Sequence, residues 1–277
     1  EFMRLSNRAA ADYAALSNGF PPRELLGAVL PGLTKWSPLY VGVLPLLLLP
    51  LALLAPIAPS GAQTSLESAP LVMPFSAGPA GAPHPAGWEI VRLTDNKRLT
   101  AYDLVDEHGV IVLHARAESA ASALGHHTAF DIRAAPIVQW RWRVGTAIEG
   151  ADNAVAARED SPVRLIFEFD GNKSALSLTE RAVFLVSRAA SGRELPYATL
   201  MYVWSGVHPV GTVIANPRTR RIEMIVASSG SGEVGKWQTL KRNLHDAFQR
   251  AFGERPGRLT AVGVLTDTDN TRSRAEA

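Results

Sequence analysis

From residue 88 onward the chain alternates apolar and polar positions in short runs, the period of a strand with one face covered. Trp88 to Leu93 alternates first. Leu99 to Val105 and Val110 to Ala117 follow as a hairpin, with Asp106 to Gly109 as its turn. In Ile137 to Val144 the pattern places Trp140 and Trp142 on one face and Arg141 and Arg143 on the other. Val163 to Phe169 sets Leu165, Phe167 and Phe169 against Arg164, Ile166 and Glu168, and Asp170-Gly171 closes it. Leu195 to Gly206 is different: it carries no charge, and its middle is β-branched and aromatic. Tyr202 and Trp204 share one face and Met201 and Val203 the other, so both faces need cover and the strand belongs inside a sheet. Further strands are predicted at Thr212 to Ala215, Arg221 to Ala227 and Leu259 to Leu265.

The period changes to that of a helix twice. Ser177-Leu-Thr-Glu180 is a capping box, and Leu178, Ala182, Leu185, Val186 and Ala189 then follow one helical face up to Gly192. Leu240, Leu244, Ala247, Phe248 and Ala251 mark a second helix, stopped by Gly253. Many short strands and few helices predict a mainly β domain: a single antiparallel β-sandwich, jelly-roll-like, with two peripheral helices.

Before this domain the pattern loses its period. Leu39 to Ala58 holds 20 residues without a charge, long enough as a helix to cross a hydrocarbon core of about 30 Å, although Pro45, Pro50 and Pro56 interrupt it. Arg4, Arg8, Arg23 and Lys35 precede it, and no Lys or Arg follows until Arg92. That asymmetry puts the N-terminus in the cytoplasm. Ser60-Gly61-Ala62 offers a signal-cleavage site, whereas the long leader and the long apolar run favour a retained anchor. The expected organisation is a cytoplasmic segment (1–38), a transmembrane helix (39–58), a Pro/Ala/Gly linker (59–86) and a periplasmic domain (87–277). The location is then the bacterial inner membrane, crossed once.

Composition narrows the chemistry. With 28 basic and 26 acidic residues and no basic block, nothing favours nucleic acid. The absence of cysteine removes disulfides, thiolate metal sites and cysteine nucleophiles together.

Asp267, Asp269 and Asn270 are the metal candidates. Closely spaced acidic oxygens in a loop after a strand suit Ca²⁺, which takes about 6–8 oxygen ligands; a turn in which Asp and Asn cap their own backbone is the structural alternative. No other cofactor is expected. Trp140, Trp142, Tyr197, Tyr202 and Trp204 offer a stacking platform for sugar rings, or else fill a core. Arg141, Arg143, Arg164 and Glu168 line a polar groove, or else a solvated face. Gly230 to Gly235 has the letters of a dinucleotide fingerprint, but the preceding strand alternates charged and apolar residues, unlike a first Rossmann strand. Ser231 lacks a nucleophile elbow. His126 and His127 are adjacent, would point apart on regular structure, and read as loop residues.

The runs WRWRV, DSPVRLIFEFDG, LPYATLMYVWSG, the Arg242-Asn243 pair and TDTDNT occur in that order. Together they resemble a bacterial envelope family catalogued only as a domain of unknown function, number 3047. The resemblance covers Gly87 to Thr271. It implies an exported single domain and supplies no activity or catalytic residues. It also implies one more aromatic strand after TDTDNT, where this chain has Arg272 to Ala277 and a missing or shortened strand is expected. The favoured function is a non-enzymatic, membrane-anchored accessory or scaffold module with a protein partner in the envelope. A carbohydrate-binding module is the alternative, and a hydrolase of unrecognised type is third.

Overall fold

A computed structural model describes residues 3–6 and 72–277. The anchor at 39–58, and the linker up to residue 71, lie outside the described residues. Thirteen strands are described: β1 (Met3–Ser6), β2 (Trp88–Arg92), β3 (Ala101–Glu107), β4 (Val110–Glu118), β5 (Ala121–Phe130), β6 (Ile137–Trp142), β7 (Ser161–Phe169), β8 (Ala198–Ser205), β9 (Val213–Ala215), β10 (Ile222–Ser229), β11 (Gln238–Asn243), β12 (Leu259–Asp267) and β13 (Arg274–Glu276). Two helices join them, α1 (Leu178–Ser191) and α2 (Leu244–Phe252). The described residues are mainly β, in three open sheets. Seven strands run in the order β2-β5-β12-β7-β8-β10-β9, and two three-stranded sheets run β1-β6-β11 and β13-β4-β3. Among the described residues no helix is long and apolar enough to cross a membrane.

Local chemistry accounts for most of these elements. β3 and β4 pair with Glu107 opposite Val110, leaving a two-residue turn. His108 and Gly109 both have positive φ there, 56° and 83°, as a primed hairpin turn requires. The Asp106 side chain closes it by accepting from the Gly109 N–H at 2.6 Å. In α1 the expected capping box forms, Ser177 and Glu180 each accepting the other's backbone N–H, and Gly192 caps the far end at φ 66°.

The large sheet buries β7 and β8 almost throughout. One face contributes Leu165, Phe167, Phe169, Tyr202, Trp204, Val262 and Val264 to the main core, which also takes Trp140 and Trp142 from β6, Tyr102 and Leu104 from β3 and Phe248 from α2. The Trp140 and Tyr202 rings lie 5.0 Å apart, and those of Phe169 and Phe248 4.7 Å. Each such side chain, fully buried, stabilises by about 1.5–3 kcal/mol before chain entropy is counted. Met201 and Val203 pack on the opposite face, as the two-sided pattern of Leu195 to Gly206 requires. Val72 and Phe75, from the stretch read as linker, are also buried in the main core.

Four expectations are corrected. The large sheet is not wholly antiparallel, because β10 pairs with β8 in parallel. The three-residue β9 takes the outer edge and reverses the chain once before β10 enters between it and β8. Residues 121–130, including His126 and His127, form a strand rather than a loop. The second helix starts at Leu244, not Leu240, since residues 238–243 pair with β6 and Asn243 then caps the helix. Finally, the apolar face of α1 is open: Leu178, Leu185 and Val186 are 82%, 69% and 68% exposed, and Phe184 is the buried residue instead. The last residues form the short strand β13, paired with β4.

Candidate functional site

The antiparallel pairing of β7 with β12 sets Asp267 opposite Ser161. Asp160, one residue before β7, is thereby carried to the end of β12, and Asp269 follows two residues beyond Asp267. One carboxylate oxygen of each of Asp160, Asp267 and Asp269 lies within 4.8 Å of the others. Asp160 and Asp267 are buried, and Asp269 reaches partly into solvent.

Each acid is held differently. Asp160 accepts from the N–H of Asn270 at 3.2 Å and, through its other oxygen, from the N–H and hydroxyl of Thr271 at 2.7 and 2.6 Å. Asp267 Oδ2 lies 3.5 Å from the guanidinium of the buried Arg164, which also donates to the carbonyl of Glu159. Asp269 Oδ2 lies 2.7 Å from Lys97 Nζ. The remaining oxygens, Asp267 Oδ1 and Asp269 Oδ1, are sealed from solvent and receive no N–H or O–H from another side chain or the backbone; the two acids can bond to each other only when one of them holds a proton. Burial pushes the Asp267 carboxyl up to about 7; Arg164 opposes this, while Asp269 and Asp160 add to it. For Asp269, hydrogen bonds from Asp267 and Lys97 outweigh burial and hold it below the usual carboxylate range.

Of the three residues read as metal ligands, Asp267 and Asp269 are thus brought together. Asn270 contributes its backbone N–H to Asp160, and its side-chain amide donates to the Ala156 carbonyl at 2.8 Å. Asp160 and Lys97 were not read from the sequence. The only local signal was an acid three residues before the start of the VRLIFEF run, and its meaning depends on which strand pairs with β7.

The other candidates are dispersed. Trp140, Trp142, Tyr202 and Trp204 are buried core residues, as the packing alternative for them expects. Arg164 is buried at the acidic cluster rather than on a groove with Arg141 and Arg143. Arg141 and Arg143 instead stack their guanidinium groups on Trp237, each 5.0 Å from the ring centre, and Arg143 pairs with Glu107. The apolar hollow beneath them measures about 60 Å³, well below the ~150 Å³ that admits benzene. A larger hollow of about 560 Å³ is lined by Arg98, Arg116, Arg274, Glu118 and Glu276, with no aromatic ring on which a sugar could stack. Glu168 lies on the outer face of β7, where burial raises its pKa and Arg193 and His127 partly offset this. His126 packs against Trp88 with ring centres 5.4 Å apart, while His127 pairs with Glu89 at 3.3 Å. His208 pairs with Asp152 at 2.8 Å, but Ser205 and Ser229 bond to the main chain of His208, not to its ring. Gly230 to Gly235 forms the connection from β10 to the strand β11.

Residues 86–277 match the model of a family described as a protein of unknown function (DUF3047), a span that takes in β2 to β13. No curated protein matches the chain.

Proposed function

The chain belongs to the DUF3047 family, and on that premise we propose that it is a non-enzymatic accessory module of the bacterial envelope, docking on another protein through the open face of α1. Leu178, Leu185 and Val186 recur at helical spacing and remain exposed. A stripe of large apolar side chains held in water favours a partner that covers it. This exposure is the observation that carries the reading. In the proposal the domain has sandwich layers, the large sheet facing the two small ones across the main core. The parallel β8–β10 ladder departs from a jelly roll, so that strand order is not retained.

The test is a photo-crosslinking residue placed at Leu185 in cells. A discrete protein adduct at Leu185, absent when the crosslinker is at Asn172, is the expected result. Leu185→Glu should abolish the adduct and change stability by no more than about 0.5 kcal/mol, since the side chain touches solvent. Lipid adducts alone, or no adduct, would overturn the docking proposal.

The proposal places residues 39–58 across the inner membrane, with the N-terminus inside and the domain in the periplasm. Such a span and the β1–β6 ladder exclude each other, because the bilayer would separate Met3–Ser6 from Ile137–Trp142. Order of synthesis favours the span. Residues 39–58 emerge on the order of several seconds before β6 exists, at ~5–20 residues per second. In a chain without cysteine, Arg4→Cys/Gln139→Cys is a clean probe, since these residues are register partners. No disulfide should form in the cellular protein under oxidising conditions; quantitative cross-linking would refute the single-span topology.

A further inference from the structure

We propose that Asp160, Asp267 and Asp269 form a binding site for one calcium ion at the end of the β7–β12 ladder. The three carboxylates converge within 4.8 Å. A second observation points to a missing partner. Asp267 is buried, one of its oxygens faces Arg164, and the other, Oδ1, is shut from solvent with nothing to accept from. Asp269 repeats the arrangement, with Lys97 on one oxygen and, when Asp267 is ionised, no donor to its sealed Oδ1. A buried carboxylate oxygen without a donor carries its full desolvation penalty, so two of them beside each other call for an occupant that accepts lone pairs.

Charge and donor type say which occupant. When all three acids are ionised, three carboxylates against Arg164 and Lys97 leave one net negative charge in the cluster. All the free donors are oxygens, which select hard cations over Zn²⁺ or copper. Asp160 keeps its orientation through Asn270 and Thr271 and still has lone pairs to give. Asp269, partly in solvent, leaves a side open for water ligands and for access. Ca²⁺ tolerates such an irregular mixed shell, whereas Mg²⁺ demands a near-ideal octahedron. The competing occupant is a proton shared between Asp267 and Asp269.

The full chain, stripped with EDTA, is titrated with CaCl₂ by calorimetry and by thermal melts, with MgCl₂ in parallel. Saturable binding of one Ca²⁺ per chain, raising the melting temperature, is expected. Asp269→Asn and Asp267→Asn should each weaken binding by at least about 10–100-fold, the loss seen for removal of mere supporting groups at metal sites. Asp131→Asn, outside the cluster, should leave binding unchanged. If Asp267→Asn fails to fold, the half-exposed Asp269 and the wild-type titration still decide. Absence of saturable binding below about 10 mM, beyond the weakest known protein calcium sites, overturns the proposal and leaves the shared proton in place. So does binding that survives Asp269→Asn unchanged, and a response to Mg²⁺ alone overturns the calcium assignment.

Discussion

Trp204→Ala is expected to leave the domain mostly unfolded or close to its limit of stability. Trp204 is 1% exposed, and its ring packs 6.5 Å from that of Trp142, inside the main core. Its indole N–H donates to the Gly230 carbonyl at 3.0 Å, tying β8 to the loop after β10. Removing a buried tryptophan side chain costs about 3–5 kcal/mol. The orphaned carbonyl adds about 1 kcal/mol. Against a typical total of ~5–15 kcal/mol, that is enough to unfold a domain of ordinary stability. Trp237→Ala provides the comparison, because Trp237 is only partly buried and serves the exposed Arg141 and the half-buried Arg143. Urea melts of the two variants beside wild type should show a large loss for Trp204 and about 1 kcal/mol or less for Trp237. Equal losses would mean that the two-sided burial of β8 is wrong.

Arg164→Ala should be nearly as damaging, for an electrostatic reason. Arg164 is the buried cation facing Asp267, and it also satisfies the Glu159 carbonyl. Without it Asp267 has two other acids as neighbours. Breaking a buried pair by removing one partner costs about 3–5 kcal/mol, because the survivor must stay charged and unsolvated or else take up a proton, to which burial already inclines Asp267. Most of that cost should disappear if the survivor is neutral. Asp267→Asn introduced into Arg164→Ala is therefore expected to recover at least about 1 kcal/mol relative to the sum of the single changes. A double-mutant cycle by chemical denaturation measures this. Additivity within about 0.5 kcal/mol would show that the pair is not coupled.

These residues mark how far the sequence could be read. Strands β6, β7 and β8 were legible because bulky apolar residues alternate or run continuously in them, and burial follows side-chain chemistry there. β5 was not, since ASALGHHTAF contains a single β-branched residue, and its extended form comes from lying between β2 and β12. Leu240 misled for a different reason: it stands four residues before Leu244, a helical spacing that occurs here by coincidence. The Asn243 cap, whose side chain accepts from the Asp246 N–H at 3.2 Å, is the better marker of that helix start. In α1 the capping box was readable, but the pattern that predicts an apolar face says nothing about what covers it. The acidic cluster was half visible for the same kind of reason. Asp267 and Asp269 are neighbours in sequence, whereas Asp160 joins them only through the β7–β12 register.

The position of β12 also sets a timetable. This strand comes near the end of the chain yet lies between β5 and β7, in the middle of the large sheet. Everything from β6 to α2 separates it in sequence from β5. Until Leu259–Asp267 has been synthesised, β5 and β7 have no common neighbour, and each presents an open edge ready to pair with any other chain. Closing so long a loop makes for slow folding, dominated by non-local contacts. A nascent chain halted after Ser229 but before Leu259 therefore has β5, β7, β8 and β10 made and its large sheet still in two parts, a state in which aggregation competes with folding. The large sheet can close only once β12 has been made, because β12 alone joins the β2–β5 part to the β7–β8–β10–β9 part.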